Sequence, residues 1–298
     1  MNAENPITHH KLQSPKVTPF FDQDSNTLTY VVQDPTSVAC AVIDSVMDFD
    51  YASGATSFES ADRVVDYIRS NKLELVWQIE THVHADHLSA ASYIQQKLGG
   101  KIGIGSNITC VQKVFGKVFN EGSEFELDGS QFDHLFSDGE TYLIGNLQCR
   151  TLHTPGHTPA CMTHVLGDAV FVGDTLFMPD GGTARADFPG GDAKTLYQSI
   201  HRILSLPDDF RIFVCHDYMP DDRELAFETT VGEQKSANIH VNSDINEASF
   251  VSMREARDKT LGMPKLIFPS LQVNMRAGHL PDSEENGTVY LKVPLNAF

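Results

Sequence analysis

The pattern along the first third of the chain is strand-like. From about Val17 to Val46 apolar positions fall in short β-rich runs, TLTYVV (27–32) and VACAVID (38–44), separated by the turn residues DPTS (34–37). Gly54 to Ser57 reads as a loop. Ser60-Ala-Asp then opens a helix, because Val64, Val65, Tyr67 and Ile68 recur at helical spacing. LELVWQIET (73–81) is a short, nearly continuous apolar run and predicts a buried strand that ends directly in THVHADH (81–87). LSAASYIQQKLGG (88–100) predicts a helix with a glycine stop. Strands are expected around Lys101–Gly105, Glu124–Leu127, Leu147–Leu152 and Ala169–Val172, the last running into Gly173-Asp174-Thr175. Leu196–Leu206 reads as a helix, RIFVCHDY (211–218) as a strand entering a loop, and Glu247–Leu261 as a helix. The closing VYLKVPLNAF (289–298) reads as a short strand-rich ending, and residues 1–16 as a loose N-terminal arm.

Strand, motif-bearing loop, helix: that unit occurs near the start and again past the midpoint, which predicts an α/β fold with its chemical residues at strand ends. There is no internal repeat, low-complexity tract or break in composition, so the expectation is a single domain over 1–298, with 219–298 as a C-terminal extension packing near the site. Charge narrows the partners. Against 22 Lys and Arg stand 40 Asp and Glu, a net charge of −18, which argues against nucleic acid or an anionic membrane. A small anionic substrate remains compatible, since one Arg or a metal ion can dominate a pocket. The N-terminus lacks the build of a signal peptide, and no apolar run approaches the roughly 20 residues of a membrane span. Five scattered cysteines (Cys40, Cys110, Cys149, Cys161, Cys215) without CxxC spacing read as free thiols in a reducing compartment, and the expectation is a soluble cytoplasmic protein. No GxGxxG opens a helix after a strand, and no GxSxG elbow is present.

The strongest local signal is His82-Val-His84-Ala-Asp86-His87, three imidazoles and a carboxylate within six residues. An extended turn directs alternate side chains to one spot, and this ligand mixture suits zinc, iron or manganese. Solvated turn histidines are the bland alternative. Its weight falls once His157 in TPGHTPAC, Asp174 in GDT and His216 in CHDY are counted, for each follows an apolar run and can converge on the same edge.

In this order THVHADH, TPGHTP, GDT and CHDY resemble the metallo-β-lactamase fold over roughly Phe20 to Tyr218, which implies an αββα four-layer sandwich with metal at one edge. Three further features resemble the persulfide dioxygenases (sulfur dioxygenases) of that superfamily. They are Cys161 after the second metal motif, the Arg-x-Asp-Phe element at Arg185-Ala-Asp187-Phe188 within GGTARADFPGGDA, and TTVGEQKSAN followed by NMRAGHLP and YLKVPLN.

The resemblance implies one Fe(II) per chain held by His82, His157 and Asp174, with His84, Asp86, His87 and His216 hydrogen-bonding around it. It implies oxidation of glutathione persulfide with O2 to sulfite and glutathione. Arg185, Asp187 and Tyr218 would support the substrate, although Arg185 paired with Asp187 and a core Tyr218 are the structural readings. The same seven metal-grade residues could instead hold two zinc ions, as in the glyoxalase II-type hydroxyacylglutathione hydrolases or other hydrolases of this fold. Homodimers and a rhodanese or sulfide-oxidising partner enzyme are further implications. Lys235 and His240 are candidate basic partners for glutathione, against an equally good solvated-face reading. Cys161 reads as a buried inert thiol or a redox-sensitive one, Cys215 as core, and His153 as a support for the His157 loop. His9, His10, His134, His164, His201 and His279 read mostly as surface or core residues.

Overall fold

The computed structural model describes residues 13–297. Most of the expected arm, with His9 and His10, and the final Phe298 lie outside the described residues. Gln13–Pro15 are tied down: the Asp168 N–H donates to Gln13 O (3.2 Å), and Arg211 Nη2 donates to Ser14 Oγ (3.2 Å) and Pro15 O (3.1 Å).

In chain order, β1 (Lys16–Asp22), β2 (Thr27–Gln33) and β3 (Ala39–Ile43) form an antiparallel meander, followed by β4 (Val46–Asp50), β5 (Ala55–Ser57) and α1 (Glu59–Ser70). Next come β6 (Glu74–Ile79), β7 (Leu88–Ser89), α2 (Ala91–Leu98), β8 (Lys101–Gly105), α3 (Ile108–Val118) and β9 (His134–Phe136). The second half carries β10 (Thr141–Ile144), β11 (Leu147–His153), β12 (Met162–Leu166), β13 (Ala169–Phe171), α4 (Ala193–Leu204) and β14 (Arg211–Phe213). It ends in β15 (Glu228–Thr230), α5 (Val231–Ala237), α6 (Glu247–Asp258) and α7 (Ile267–Asn274). One six-stranded sheet has the order β1-β2-β3-β6-β8-β9 and the other β10-β11-β12-β13-β14-β15. This is the metallo-β-lactamase architecture expected from the motifs.

Alternation along the strands explains the layering. On β3, Ala39, Ala41 and Ile43 pack toward the second sheet, whereas Cys40 and Val42 pack with Val64, Val65 and Ile68 of α1. Between the sheets Tyr30 meets Phe171 and Phe213 edge-on at centroid distances of 5.3 and 5.5 Å, and its hydroxyl donates to Val214 O. α4 closes the outer face of the second sheet through Leu196, Ile200 and Ile203. In the first sheet β3, β6, β8 and β9 run parallel, so the loops that leave their C-terminal ends share one edge.

Four expectations for local structure are corrected. Ala55–Ser57 pairs with β4 as a strand rather than a loop. Leu88–Ser89 is a short strand against β4, and the helix begins only at Ala91. Residues 124–127 form turns and bends, not a strand. The closing residues 289–297 form no strand; the Gln272 side chain stands in for a neighbouring strand by bonding both the N–H and the C=O of Lys292. The helix α3 escaped the periodicity reading because its sequence, ITCVQKVFGKV, is rich in β-branched residues and contains a glycine. Among the described residues no helix is long and apolar enough to cross a membrane.

His164 on β12 carries a pH dependence of stability. It is fully buried against the Tyr142 hydroxyl (2.9 Å), and burial pushes its pKa down from 6.5 to about 4. Folding therefore favours the neutral ring, and this contribution, about 3 kcal/mol, is complete above pH 6.5 and lost as pH falls toward 4. His164→Gln keeps an acceptor for Tyr142 and removes the titration, so urea midpoints at pH 7.5 and pH 5 should differ less for the variant than for the wild type. An equal decline in both would contradict the assignment.

Candidate metal centre

Asp44 organises the site from beneath. It follows β3 with a left-handed backbone (φ 51°), and its carboxylate accepts from the Thr81 N–H (2.8 Å), the Thr81 hydroxyl (2.9 Å) and His84 Nε2 (3.0 Å). Burial would raise its pKa, but the His84 imidazole and these donors bring it down to about 2. Conversely, burial would lower His84, while Asp44 and Glu80 bring it up to about 9. Burial pushes Glu80, which accepts from Ser89 Oγ at 2.7 Å, up to about 8. The strand end of β6 is thus fixed by buried charge before any ligand arrives.

Each motif histidine has one ring nitrogen committed to this outer framework. The Thr81 hydroxyl spends its proton on Asp44, so at 3.0 Å it accepts from His82 Nδ1 and leaves Nε2 as the lone pair. His157 Nδ1 donates to Arg185 O (2.8 Å), again leaving Nε2 free. His84 donates through Nε2 to Asp44, and its buried Nδ1 has no partner among the described residues. His87 Nδ1 faces Thr27 Oγ1 (3.3 Å) and Asp86 Oδ1 (3.6 Å), while its buried Nε2 is unpartnered. His216 Nδ1 reaches Asn26 O (3.3 Å), and its Nε2 lies 3.1 Å from Asp174 Oδ1 and 3.3 Å from Asp86 Oδ2 without hydrogen-bond alignment. Ring nitrogens turned inward from rings held by outer bonds are the arrangement that metal ligation needs, the protons that His84 and His216 hold leaving as an ion binds.

Asp174 sits between two groups. Its Oδ2 is 3.5 Å from His157 Nε2 and 3.9 Å from His82 Nε2, and its Oδ1 faces His216. His82, His157 and Asp174 place their ligand atoms within 4.8 Å of one another, as do His84, Asp86 and His87. Burial would raise Asp174, but His216, His82 and His157 hold it well below the usual carboxylate range. For His216 the carboxylates of Asp174 and Asp86 overcome burial and push the ring up to about 10. Gly173 makes this approach possible: at φ 52° a Cβ there would lie 2.6 Å from Thr81 Oγ1.

A cleft of about 920 Å³ opens over Asp86, His87, His157 and Asp174. Tyr218 stands exposed at its wall, near-parallel to the His216 ring at 6.0 Å. Arg185 also lines the cleft, but its fork is engaged by Asp187 (2.6 and 2.8 Å) and Gly262 O (2.6 Å). Neither Lys235, paired with Asp208, nor His240, buried against the Thr183 N–H (3.0 Å), lines it. The cations there are instead Arg257 of α6 and Lys265 before α7, both exposed and in no ion pair among the described residues, with buried Arg254 bound to Asp258. Burial pushes the Cys161 thiol up to about 12, as befits an inert core residue. His153 supports the His157 loop by bonding Pro159 O (2.9 Å).

Two supports went unread in the sequence. Asp44, at the end of VACAVID, occupies the same kind of strand-end position as Asp174, a signal that could have found it. Asn274 carries none: from α7 its Nδ2 donates to His84 O (2.9 Å) and His87 O (2.8 Å), and its Oδ1 accepts from Ser89 N (2.7 Å).

Residues 23–216 match the family model of the metallo-beta-lactamase superfamily. The chain is 52% identical over 289 residues to a probable metallo-hydrolase of Burkholderia pseudomallei (strain 1710b), spanning 94% of this chain and 98% of that protein. It is 47% identical over 283 residues to Glyoxylase B2 of Dictyostelium discoideum, spanning 94% and 97%. To the mitochondrial persulfide dioxygenase ETHE1 of Homo sapiens it is 32% identical over 261 residues, 87% of each. The crystal structure of ETHE1 from Myxococcus xanthus superposes with a TM-score of 0.71 at 28% identity, covering 89% of this chain and 100% of that one.

Asn274→Ala removes three buried hydrogen bonds that shape the motif loop and should cost of the order of 3 kcal/mol. Urea denaturation should show that loss and elemental analysis a fall in bound metal. Wild-type metal content and stability would show that the loop holds itself.

Proposed function

The chain belongs to the metallo-beta-lactamase superfamily, and on that premise we propose that it is a persulfide dioxygenase. It would convert glutathione persulfide, O2 and water to glutathione and sulfite at one Fe(II) held by His82, His157 and Asp174. The observation that carries this reading is the compact two-histidine, one-carboxylate group of His82, His157 and Asp174, of which His157 and Asp174 line the cleft, a donor set suited to non-haem iron. The likeness to the persulfide dioxygenase ETHE1 supports it. Iron held by these three residues would supply the redox chemistry by which a sulfur ligand meets O2.

Atoms and electrons balance: RSSH, O2 and H2O give RSH and H2SO3. The outer sulfur rises from the zero to the +4 state, and O2 takes the four electrons. The chain's own residues bind and orient. Arg257 and Lys265 face the cleft as cations on a chain of net charge −18, placed to take the carboxylates of a glutathione carrier. Tyr218 stands exposed on the same wall, where its hydroxyl can donate to a bound ligand. The Arg185 carbonyl fixes the His157 tautomer. The five cysteines are free, which fits a reducing compartment such as the cytoplasm.

A second reading has its own observation. The unpartnered Nδ1 of His84 and Nε2 of His87, with Asp86 beside them and the two-sided Asp174, would suit a second ion and hence a dinuclear zinc hydrolase. The likeness to the probable metallo-hydrolase and to Glyoxylase B2 points the same way.

Iron content separates the two. His157→Ala should lose iron, whereas His87→Ala should retain about one iron per chain with at most reduced turnover; iron lost in parallel from both variants would favour the dinuclear centre. The substrate wall is tested separately: Arg257→Ala combined with Lys265→Ala should raise KM for glutathione persulfide about tenfold or more and leave kcat within about twofold. An unchanged KM would place the carrier elsewhere.

A further inference from the structure

A second, much smaller cavity of about 20 Å³ lies behind His157. Val83 and Ala85, the residues interleaved with the motif imidazoles, form one wall. Val111 and Phe115 of α3 and Ile267 and Leu271 of α7 form the others. Apart from Ala85, each of these is at most 6% exposed. On the loop side half-buried Pro159 and exposed Pro189 complete the lining. Such a volume holds about one small molecule, and carbon-lined walls offer water few partners there.

The polar atoms at its edge are already occupied. His157 Nδ1 donates to Arg185 O, and Thr158 Oγ1 is taken up by Cys161 Sγ (3.1 Å) and the Ala160 N–H (3.3 Å).

Ala85, His157 and Phe188 line both this cavity and the large cleft, so they form the partition between them. Phe188 meets the His157 ring edge-on at 5.4 Å, and the Arg185 guanidinium stacks over Phe188 at 4.8 Å. Asp187 and Gly262 O hold that guanidinium in place. Phe188 of the Arg185-Ala-Asp187-Phe188 element, with His157 and Ala85, therefore separates a roomy cleft that carries charged side chains from a small apolar pocket.

We propose that the small cavity holds dioxygen. Resting on the dioxygenase reading, this assigns the two substrates to two volumes. The charged, bulky persulfide takes the cleft, and O2, which has no charge and needs no hydrogen bond, takes the apolar pocket against His157. Phe188 sets the passage between them.

Xenon is the probe, since it reports small dry cavities independently of turnover. Crystals of the iron-loaded protein under xenon pressure should show the gas bounded by Val111, Leu271 and His157, and Val111→Phe should remove it. The same variant should raise KM for O2 about fivefold or more and leave KM for persulfide within about twofold. If Val111→Phe does not fold, Val111→Ile should lower xenon occupancy and Leu271→Ala should raise it. No xenon in the wild-type pocket, or an unchanged KM for O2 in a folded Val111→Phe, would overturn the proposal. Xenon bound here in a protein that consumes no O2 would sink the dioxygenase reading and leave the gas cavity standing. Persulfide-dependent O2 uptake with an empty pocket would sink the cavity alone.

Discussion

The site depends on one buried carboxylate. Asp44 sits at the end of β3, beneath the parallel strand that delivers the histidine motif, and takes hydrogen bonds from Thr81 and His84 at once. An ionised carboxylate that deep is tolerable only because those donors and the His84 ring surround it. In return it fixes the Thr81 hydroxyl, which fixes the His82 tautomer, and it fixes His84 directly. A chain of single hydrogen bonds thus runs from a core strand to the inward lone pairs.

The same logic repeats around the centre with different partners. A backbone carbonyl holds His157, Asn26 O holds His216, and Asn274 holds the motif backbone from a helix 190 residues away from His84 in sequence. The Arg254–Asp258 pair on α6 anchors the strip that carries the Arg185 carbonyl, bonding Thr183 O on one side and the Ala186 N–H on the other. The C-terminal third therefore reaches the centre through the outer hydrogen bonds of its candidate ligands, and it also supplies Arg257 and Lys265 to the cleft wall.

The residues that converge at the candidate centre were legible in the sequence because strand-end chemistry is local: an apolar run followed at once by His or Asp places that side chain at a sheet edge whatever else the fold does. The layered fold was legible from the same motifs. What stayed hidden was tertiary. Arg257 and Lys265 lie on segments whose patterns resemble any solvated face, so the sequence pointed to Lys235 and His240 instead, and packing turns those two elsewhere. Helix α3 hid behind β-branched residues that packing against α7 overrides. The terminal VYLKVPLNAF reads as a strand by propensity, yet its described residues join no sheet, and the Gln272 side chain takes the place of the neighbouring strand that Lys292 would need. Arg185 was readable as a residue beside the site, with a pairing to Asp187 as one reading of it, whereas the bond to Gly262 O is visible only in the structure.

The central claim is that this centre oxidises a persulfide sulfur with O2. The most direct measurement is oxygen-electrode uptake by Fe(II)-loaded protein given glutathione persulfide, with sulfite quantified in the same sample and S-lactoylglutathione hydrolysis followed alongside. The account predicts one O2 consumed for each sulfite formed, and no thioester cleavage. Thioester cleavage by the zinc-loaded protein, with no persulfide-dependent O2 uptake by the iron-loaded form, would contradict it.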